Sequence, residues 1–253
     1  MRNVGGAGQP TLFLHGNPDS SELWQGVIAR LNNHYRCLAP DLPGFGRSLV
    51  PAGFDGSLEQ MAAFIDALVQ SIGIDEPLNL VVHDFGGPFG LAWAIKYPTK
   101  VKRLAIMNCN FFSDYHWHIW ARIWRTPWLG ELSMTLTNHW LFAREMRRGS
   151  RKLTTEQIRH TYNLVSPTTQ KMILRLYRAA DPAKYAGWED ELVALTARVP
   201  TCVLWGDQDP YLPITHAKRF GAQEVHHFPD CGHWLPAEAP DQVSEKLIPF
   251  FGI

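Results

Sequence analysis

The sequence predicts an α/β fold: a mostly parallel, doubly wound sheet interrupted by one inserted helical segment. Three observations predict it. Short apolar runs without alternation recur from Thr11 onward, which suits strands whose two faces are both covered by helices. A helical pattern follows each of the early runs, the order that builds parallel sheets. One long stretch, roughly Phe111 to Val199, breaks that rhythm and offers no convincing strand pair.

Along the chain, "TLFL" at 11–14 reads as a strand and "SELWQGVIARL" at 21–31 as an amphipathic helix. "YRCLAP" at 35–40 is a strand that runs into the loop "DLPGFGRS". Ser57 with Gln60 forms a capping-box pattern that opens the next helix. "LNLVVH" at 78–83 is a strand, "GLAWAIKYP" at 90–98 a helix and "RLAIMN" at 103–108 a strand. After the interruption come the strand "TCVLW" at 201–205, a helix "ITHAKRF" at 214–220, "EVHHF" at 224–228 and a last helix from Asp241. The expected division is a core of residues 1–110 and 199–253 and a helical cap of residues 111–198. Six of the ten tryptophans lie in the interruption, which carries a charge of +5 against −5 for the rest.

Composition narrows the function. Twenty-four basic residues balance twenty-four acidic ones, and a phosphate-binding surface needs a basic surplus, so no nucleic-acid partner is expected. No apolar run reaches membrane-spanning length, and "MRNVGGAGQP" lacks a secretory pattern. Cys37, Cys109, Cys202 and Cys231 form no Cys-x-x-Cys, which reads as reduced thiols in a cytoplasmic protein.

Three stretches carry chemistry. In "LVVHDFGGPFG" a buried strand meets a Gly-flanked turn and a helix, and Asp84 stands at the tip where such a turn usually displays a nucleophile. In "LWGDQDPYLP" Asp207 and Asp209 compete to orient a histidine; Asp209, three residues after Gly206, is favoured. In "DCGHWLPAEAP" His233 follows a Gly turn before the last helix. A carboxylate is a poor nucleophile toward an ester but adequate for displacement at an sp3 carbon.

These stretches, with "LHGNP" at 14–18 and "DLPGFGRS" at 41–48, resemble the α/β-hydrolase superfamily over nearly the whole chain. Within it the chain is similar to the capped group that includes epoxide hydrolases and haloalkane dehalogenases. The resemblance implies an α/β-hydrolase fold and a triad of Asp84, Asp209 and His233. It implies an alkyl ester on Asp84, hydrolysed by water that His233 activates. The N–H groups of Phe85 and of Asn17, or a neighbour, would hold the oxyanion. No metal or organic cofactor is implied, and the substrate is expected to be a small hydrophobic organic molecule. For the leaving group, dehalogenases use a halide-binding Asn, which Asn17 matches, and a tryptophan after the nucleophile, where this chain has Phe85. Epoxide hydrolases use two cap tyrosines: "LRLYR" places Tyr177 as one, with Tyr115 and Tyr162 as candidates for the other. Epoxide opening is the favoured expectation, dehalogenation the alternative, and an inactive binding protein of the same fold a third.

Other signals read as structural. His116-Trp117-His118 and His226-His227 lack the carboxylates or spacing of a metal site. Trp117, Trp120, Trp124 and Trp128 recur at steps of 3, 4 and 4, one helical face that packs on the core or partly lines a pocket. Asp41 is expected to organise its loop. Only ten residues precede Thr11, so a missing strand could leave a sheet edge open, and an open edge invites a homodimer.

Overall fold

The computed structural model describes residues 2–3 and 6–252. Among them seven strands form one sheet: β1 (Arg2–Asn3), β2 (Pro10–Leu14), β3 (Arg36–Ala39), β4 (Leu78–His83), β5 (Val101–Met107), β6 (Thr201–Gly206) and β7 (Glu224–Phe228). Their spatial order is β1-β3-β2-β4-β5-β6-β7, and every pair is parallel except β1 with β3. The order reverses around β2: the chain moves outward to β3, then returns to place β4 on the other side. The connections leaving β2 and β4 therefore run to opposite faces of the sheet, and such a switch point sets a crevice at the carboxyl ends of the strands.

Alternate residues of each central strand feed two cores. Leu12, Leu14, Leu80, Val82 and Ile106 face α2 (Leu58–Ser71) and α3 (Gly86–Lys96), where Met61, Ile65, Phe89 and Trp93 are buried. Phe13, Val81, Ala105 and Met107 face the opposite way, onto Val27 of α1 (Gln25–Leu31) and onto Leu247 and Phe251 near the C-terminus. Burial on both faces explains why the strands read as unbroken apolar runs.

Between β5 and β6 lies a helical insertion: α4 (Ile119–Arg125), α5 (Leu129–Leu136), α6 (His139–Gly149), α7 (Thr155–Leu164), α8 (Pro167–Ala179) and α9 (Trp188–Thr196). Side chains start several of these helices. Asn138 caps α6, Thr154 and Gln157 close a capping box on α7, and Ser166 caps α8 ahead of Pro167. Two helices, α10 (Leu235–Glu238) and α11 (Pro240–Phe251), end the chain. No described helix is long and apolar enough to cross a membrane.

Several local expectations change. The helix expected over 21–31 begins as a 3-10 turn, Ser21–Trp24, and the one over 214–220 is wholly a 3-10 turn, Ile214–Lys218. Ser57 does cap α2, but Gln60 turns its side-chain oxygen to the N–H of Asp55, because Asp55 already accepts the N–H of Ser57. The tryptophan stripe is broken: Trp117 precedes α4, and Trp128 follows it with φ at +67°. The N-terminal segment supplies β1, so the edge beside β3 carries a short antiparallel strand.

Close backbone approach dictates Gly86 at the start of α3. A Cβ there would lie 2.3 Å from the carbonyl oxygen of Leu14. Gly86→Ala should therefore lower unfolding free energy by about 1–3 kcal/mol or more, by overpacking. Urea denaturation would check it, and an unchanged midpoint would contradict the packing described.

Candidate active site

Asp84 is held at the tip of the β4–α3 turn. Its φ is +48°, a strained conformation for a non-glycine residue. The turn is fixed by the Asp84 N–H donating to the carbonyl of Asn108 at 3.2 Å and the Asp84 carbonyl accepting the N–H of Gly87 at 2.9 Å. The carboxylate is only 16% exposed. Oδ2 accepts the Asn17 N–H at 2.6 Å, and the Phe85 N–H also bonds the carboxylate. Gly16 makes room: a Cβ on it would fall 2.2 Å from Asp84 Oδ2. Burial raises the carboxyl above its ordinary range, while His233 and the two N–H groups pull it back.

The loop bearing Asn17 is braced by a buried histidine. His15 Nε2 accepts the Leu42 N–H at 2.9 Å, and Nδ1 donates to the Gly16 carbonyl at 2.8 Å. Burial lowers His15 to about 4, so it stays neutral. Asp41 accepts the N–H groups of Ser21 and Arg47, the loop-organising part expected of it.

His233 faces Asp84 from the loop before α10, with Nε2 3.7 Å from Asp84 Oδ1. That separation is longer than a hydrogen bond. Its Nδ1 lies 2.7 Å from Asp209 Oδ2. Asp209 is anchored in turn by the N–H groups of Tyr211 and Leu212 on Oδ1 and by Asn108 Nδ2 on Oδ2. Asp207 instead meets His227 Nδ1 at 2.7 Å, so the competition between the two aspartates falls to Asp209. Burial alone would lower His233, but the charge and hydrogen bond of Asp209, then Asp84 and Asp19, raise it to about 9. The same contacts hold Asp209 below its ordinary value despite burial.

Asp84 and His233 open onto an apolar cavity roofed by the insertion, with about 140 Å³ open to the centre of a water molecule. Trp117, Trp120, Trp124, Met134 and Phe142 help to line it. Tyr177, on α8, is buried with its ring 4.8 Å from that of Phe85, and its hydroxyl oxygen accepts from Asn17 Nδ2 at 3.4 Å. Burial pushes that phenol well above its ordinary value, so it keeps its proton. Tyr115 is committed elsewhere, donating to the Tyr211 carbonyl at 2.9 Å. Tyr162 lines the cavity against His139 and Phe142.

Sequence reasoning missed five residues. His118 caps α4 by accepting the Ala121 N–H on Nδ1 at 3.3 Å, which leaves its ring proton on Nε2. Burial lowers it to about 4, and its ring stands 6.0 Å from that of Tyr177, so it is a neutral donor at the cavity wall. Asn108, with φ at +30°, ties β5 to β6 through Gly206 and to Asp209. His83 donates from Nε2 to the His233 carbonyl at 2.7 Å. Gly149 accepts the His233 N–H at 2.8 Å. Asp19 accepts the Trp234 indole N–H at 2.9 Å, and burial pushes its carboxyl up to about 7. An Asn ending a strand and an acid inside "HGNPDSS" were the available signals for two of these.

The Asp19 shift has a thermodynamic sign. A carboxyl raised on folding adds stability at low pH and loses it as pH climbs from its ordinary value of 3.8 toward about 7. Asp19→Asn, which keeps an acceptor for Trp234, should melt higher than the parent above neutrality and lose that gain below about pH 4. Melting curves across pH would check this; a gain that persists in acid would contradict it. Asp209→Asn should lower the His233 pKa, read by NMR of labelled imidazole, and an unmoved titration would contradict the pairing.

Comparison with known proteins agrees with this architecture. The sequence model of the alpha/beta hydrolase fold matches residues 9–240. The chain is 29% identical to a cis-3-alkyl-4-alkyloxetan-2-one decarboxylase of Shewanella oneidensis, across 97% of this chain and 82% of that protein. It is 28% identical to haloalkane dehalogenase 2 of Mycobacterium tuberculosis, across 98% and 89%. Among solved structures, an ancestral haloalkane dehalogenase superposes with a TM-score of 0.81 at 26% identity, covering 97% of this chain and 92% of that one. An epoxide hydrolase superposes at 0.83 and 22% identity, covering 98% and 92%, a likeness of fold. The chain belongs to the alpha/beta hydrolase fold family and is an enzyme, a hydrolase of that family.

Proposed function

We propose that this hydrolase opens epoxides to diols through an alkyl ester on Asp84, with residues 111–198 acting as a cap domain over the core. The observation that carries the reading is the pairing of Asp84 with Tyr177. The Asp84 carboxylate and a protonated phenol line the same cavity, and among the described residues the one hydrogen bond to that phenol comes from Asn17 and uses its oxygen as acceptor. Its proton is free for a leaving oxygen.

In the first step an Asp84 oxygen attacks a ring carbon and the ring C–O bond breaks. The electron pair goes to oxygen, which takes a proton from Tyr177. His118 Nε2–H is a second donor on the same wall. In the second step His233 removes a proton from water, which attacks the carboxyl carbon of Asp84. The N–H groups of Asn17 and Phe85 hold the tetrahedral oxyanion, each contributing about 10²–10³-fold. Collapse frees the diol and the Asp84 carboxylate, and the proton on His233 returns through solvent to Tyr177. Charge works in the right order. Asp84 helps to raise His233 in the free enzyme, and esterification removes that contribution, so the imidazole becomes easier to deprotonate when a neutral base is needed.

The Shewanella relative is named for a substrate that is a strained oxygen heterocycle, an oxetanone, and not for a halide. That likeness supports a strained cyclic oxygen substrate for this chain. A second reading, dehalogenation, is favoured by Trp117, whose buried indole N–H has no partner among the described residues. Together with Asn17 it could receive a halide. Phe85 weakens that reading, since it has no side-chain N–H.

Parallel assays on small epoxides, alkyl oxetanones and bromoalkanes separate these. Diol without halide release is expected; halide release without epoxide turnover would reverse the order. His233→Ala should leave step one intact and accumulate a substrate adduct on Asp84 by mass spectrometry, and an adduct-free protein would contradict the scheme. Tyr177→Phe should slow ring opening by about 10²–10⁴-fold, and unchanged turnover would remove it from the mechanism.

A further inference from the structure

Of nine large apolar side chains exposed among the described residues, six fall between 119 and 140: Ile119, Trp128, Leu129, Leu132, Leu136 and Trp140. They are ordered. Leu129, Leu132 and Leu136 recur at steps of 3 and 4, one face of α5, while Met134 on the opposite side lines the cavity. Trp128 heads that face, 87% exposed and held at φ +67°, a backbone conformation unfavourable for a bulky residue. Its ring makes no contact with another aromatic ring among the described residues. Trp140 follows on α6, 65% exposed, with the Arg144 guanidinium 5.8 Å over its ring.

The charges around this face that meet no opposite partner among the described residues have one sign. Glu131 is paired with Arg178 and Glu145 with Arg148. Arg122, Arg144 and Arg147 are exposed and meet no carboxylate among the described residues. Arg144 and Arg147 continue the Trp140 stripe at steps of 4 and 3. A second copy docking face to face would set these arginines against their own counterparts. A layer of anionic headgroups over an apolar interior complements both features, and tryptophan with arginine is the side-chain pair such a boundary accepts.

We propose that the outer face of α4, α5 and α6 seats this enzyme on anionic lipid surfaces. It lies on the surface and does not span it: α5, eight residues, is about 12 Å long. The same three helices wall the cavity through Trp120, Trp124, Met134, Leu141 and Phe142. An apolar substrate dissolved in the lipid would thus meet the cavity wall without crossing bulk water. The inference stands whichever leaving group the site accepts.

Co-sedimentation with vesicles tests it. The full chain should bind vesicles of equal parts phosphatidylcholine and phosphatidylglycerol at low salt, bind pure phosphatidylcholine more weakly, and release as salt rises. Trp128→Ser combined with Leu132→Ser and Leu136→Ser should weaken binding at least about tenfold, with the melting temperature retained because these side chains are exposed. Arg122→Gln with Arg144→Gln and Arg147→Gln should abolish the preference for anionic vesicles and retain residual binding. Failure of the parent to bind anionic vesicles would overturn the proposal. So would undiminished binding by the serine variant, or a dimer seen by light scattering that the serine variant abolishes, since a second copy would then cover the face.

Discussion

One constraint organises the molecule: a carboxylate must be kept out of water, yet held reactive at the end of a buried strand. The turn does this by strain and close approach. Asp84 takes a positive φ, uncommon for a residue with a side chain, and the turn persists because Asn108 and Gly87 bond its backbone on both sides. Gly16 leaves room for the Asp84 side chain, and Gly86 lets the main chain at Leu14 come within a distance that a methyl group would forbid. The parallel sheet supplies the rest. Because β2, β4, β5 and β6 run in one direction, the residues after each strand meet at one edge, and the reversal of order beside β2 leaves that edge open.

Electrostatics then couples the parts. Three buried carboxyls, Asp84, Asp209 and Asp19, surround one imidazole, and each acts on it through space. Of the three, Asp209 is the one hydrogen-bonded to the ring; the charge and hydrogen bond of His233, then the Tyr211 N–H and Asn108, hold its carboxyl down against burial. Among the described residues Asp19 has the Trp234 indole as its side-chain donor, and it sits close to the point of protonation at neutral pH. The ring is also gripped from behind. His83 and Gly149 hold the backbone of His233, so the core strand and the helical insertion both position it.

Much of this was legible in the sequence because it is local. The apolar strands, the Gly-flanked turn at Asp84 and the order of acid and histidine all lie in short contiguous stretches. What escaped was set by contacts distant in sequence. The 3-10 turn at residues 214–218 looks helical by composition, and nothing in those residues alone marks it as tighter than an α-helix. The tryptophan steps predicted one continuous stripe, but α4 starts only at Ile119 and ends before Pro127, so Trp117 lines the cavity and Trp128 faces solvent. Tyr115 was a fair partner for Tyr177 until its hydroxyl met a carbonyl nearly a hundred residues away. His118 could not be read as a donor, because its tautomer follows from a helix cap visible only in three dimensions.

The mechanism turns on where water attacks. If Asp84 is the nucleophile, the oxygen delivered to the product in the first turnover comes from its side chain, and solvent oxygen replaces it there. A single turnover of an epoxide with enzyme in excess, run in water labelled with heavy oxygen, reads this directly. An ester on Asp84 gives unlabelled diol and a heavy atom in the peptide that contains Asp84. Labelled diol with an unlabelled Asp84 would mean that water attacks the substrate itself, and the ester mechanism would be wrong.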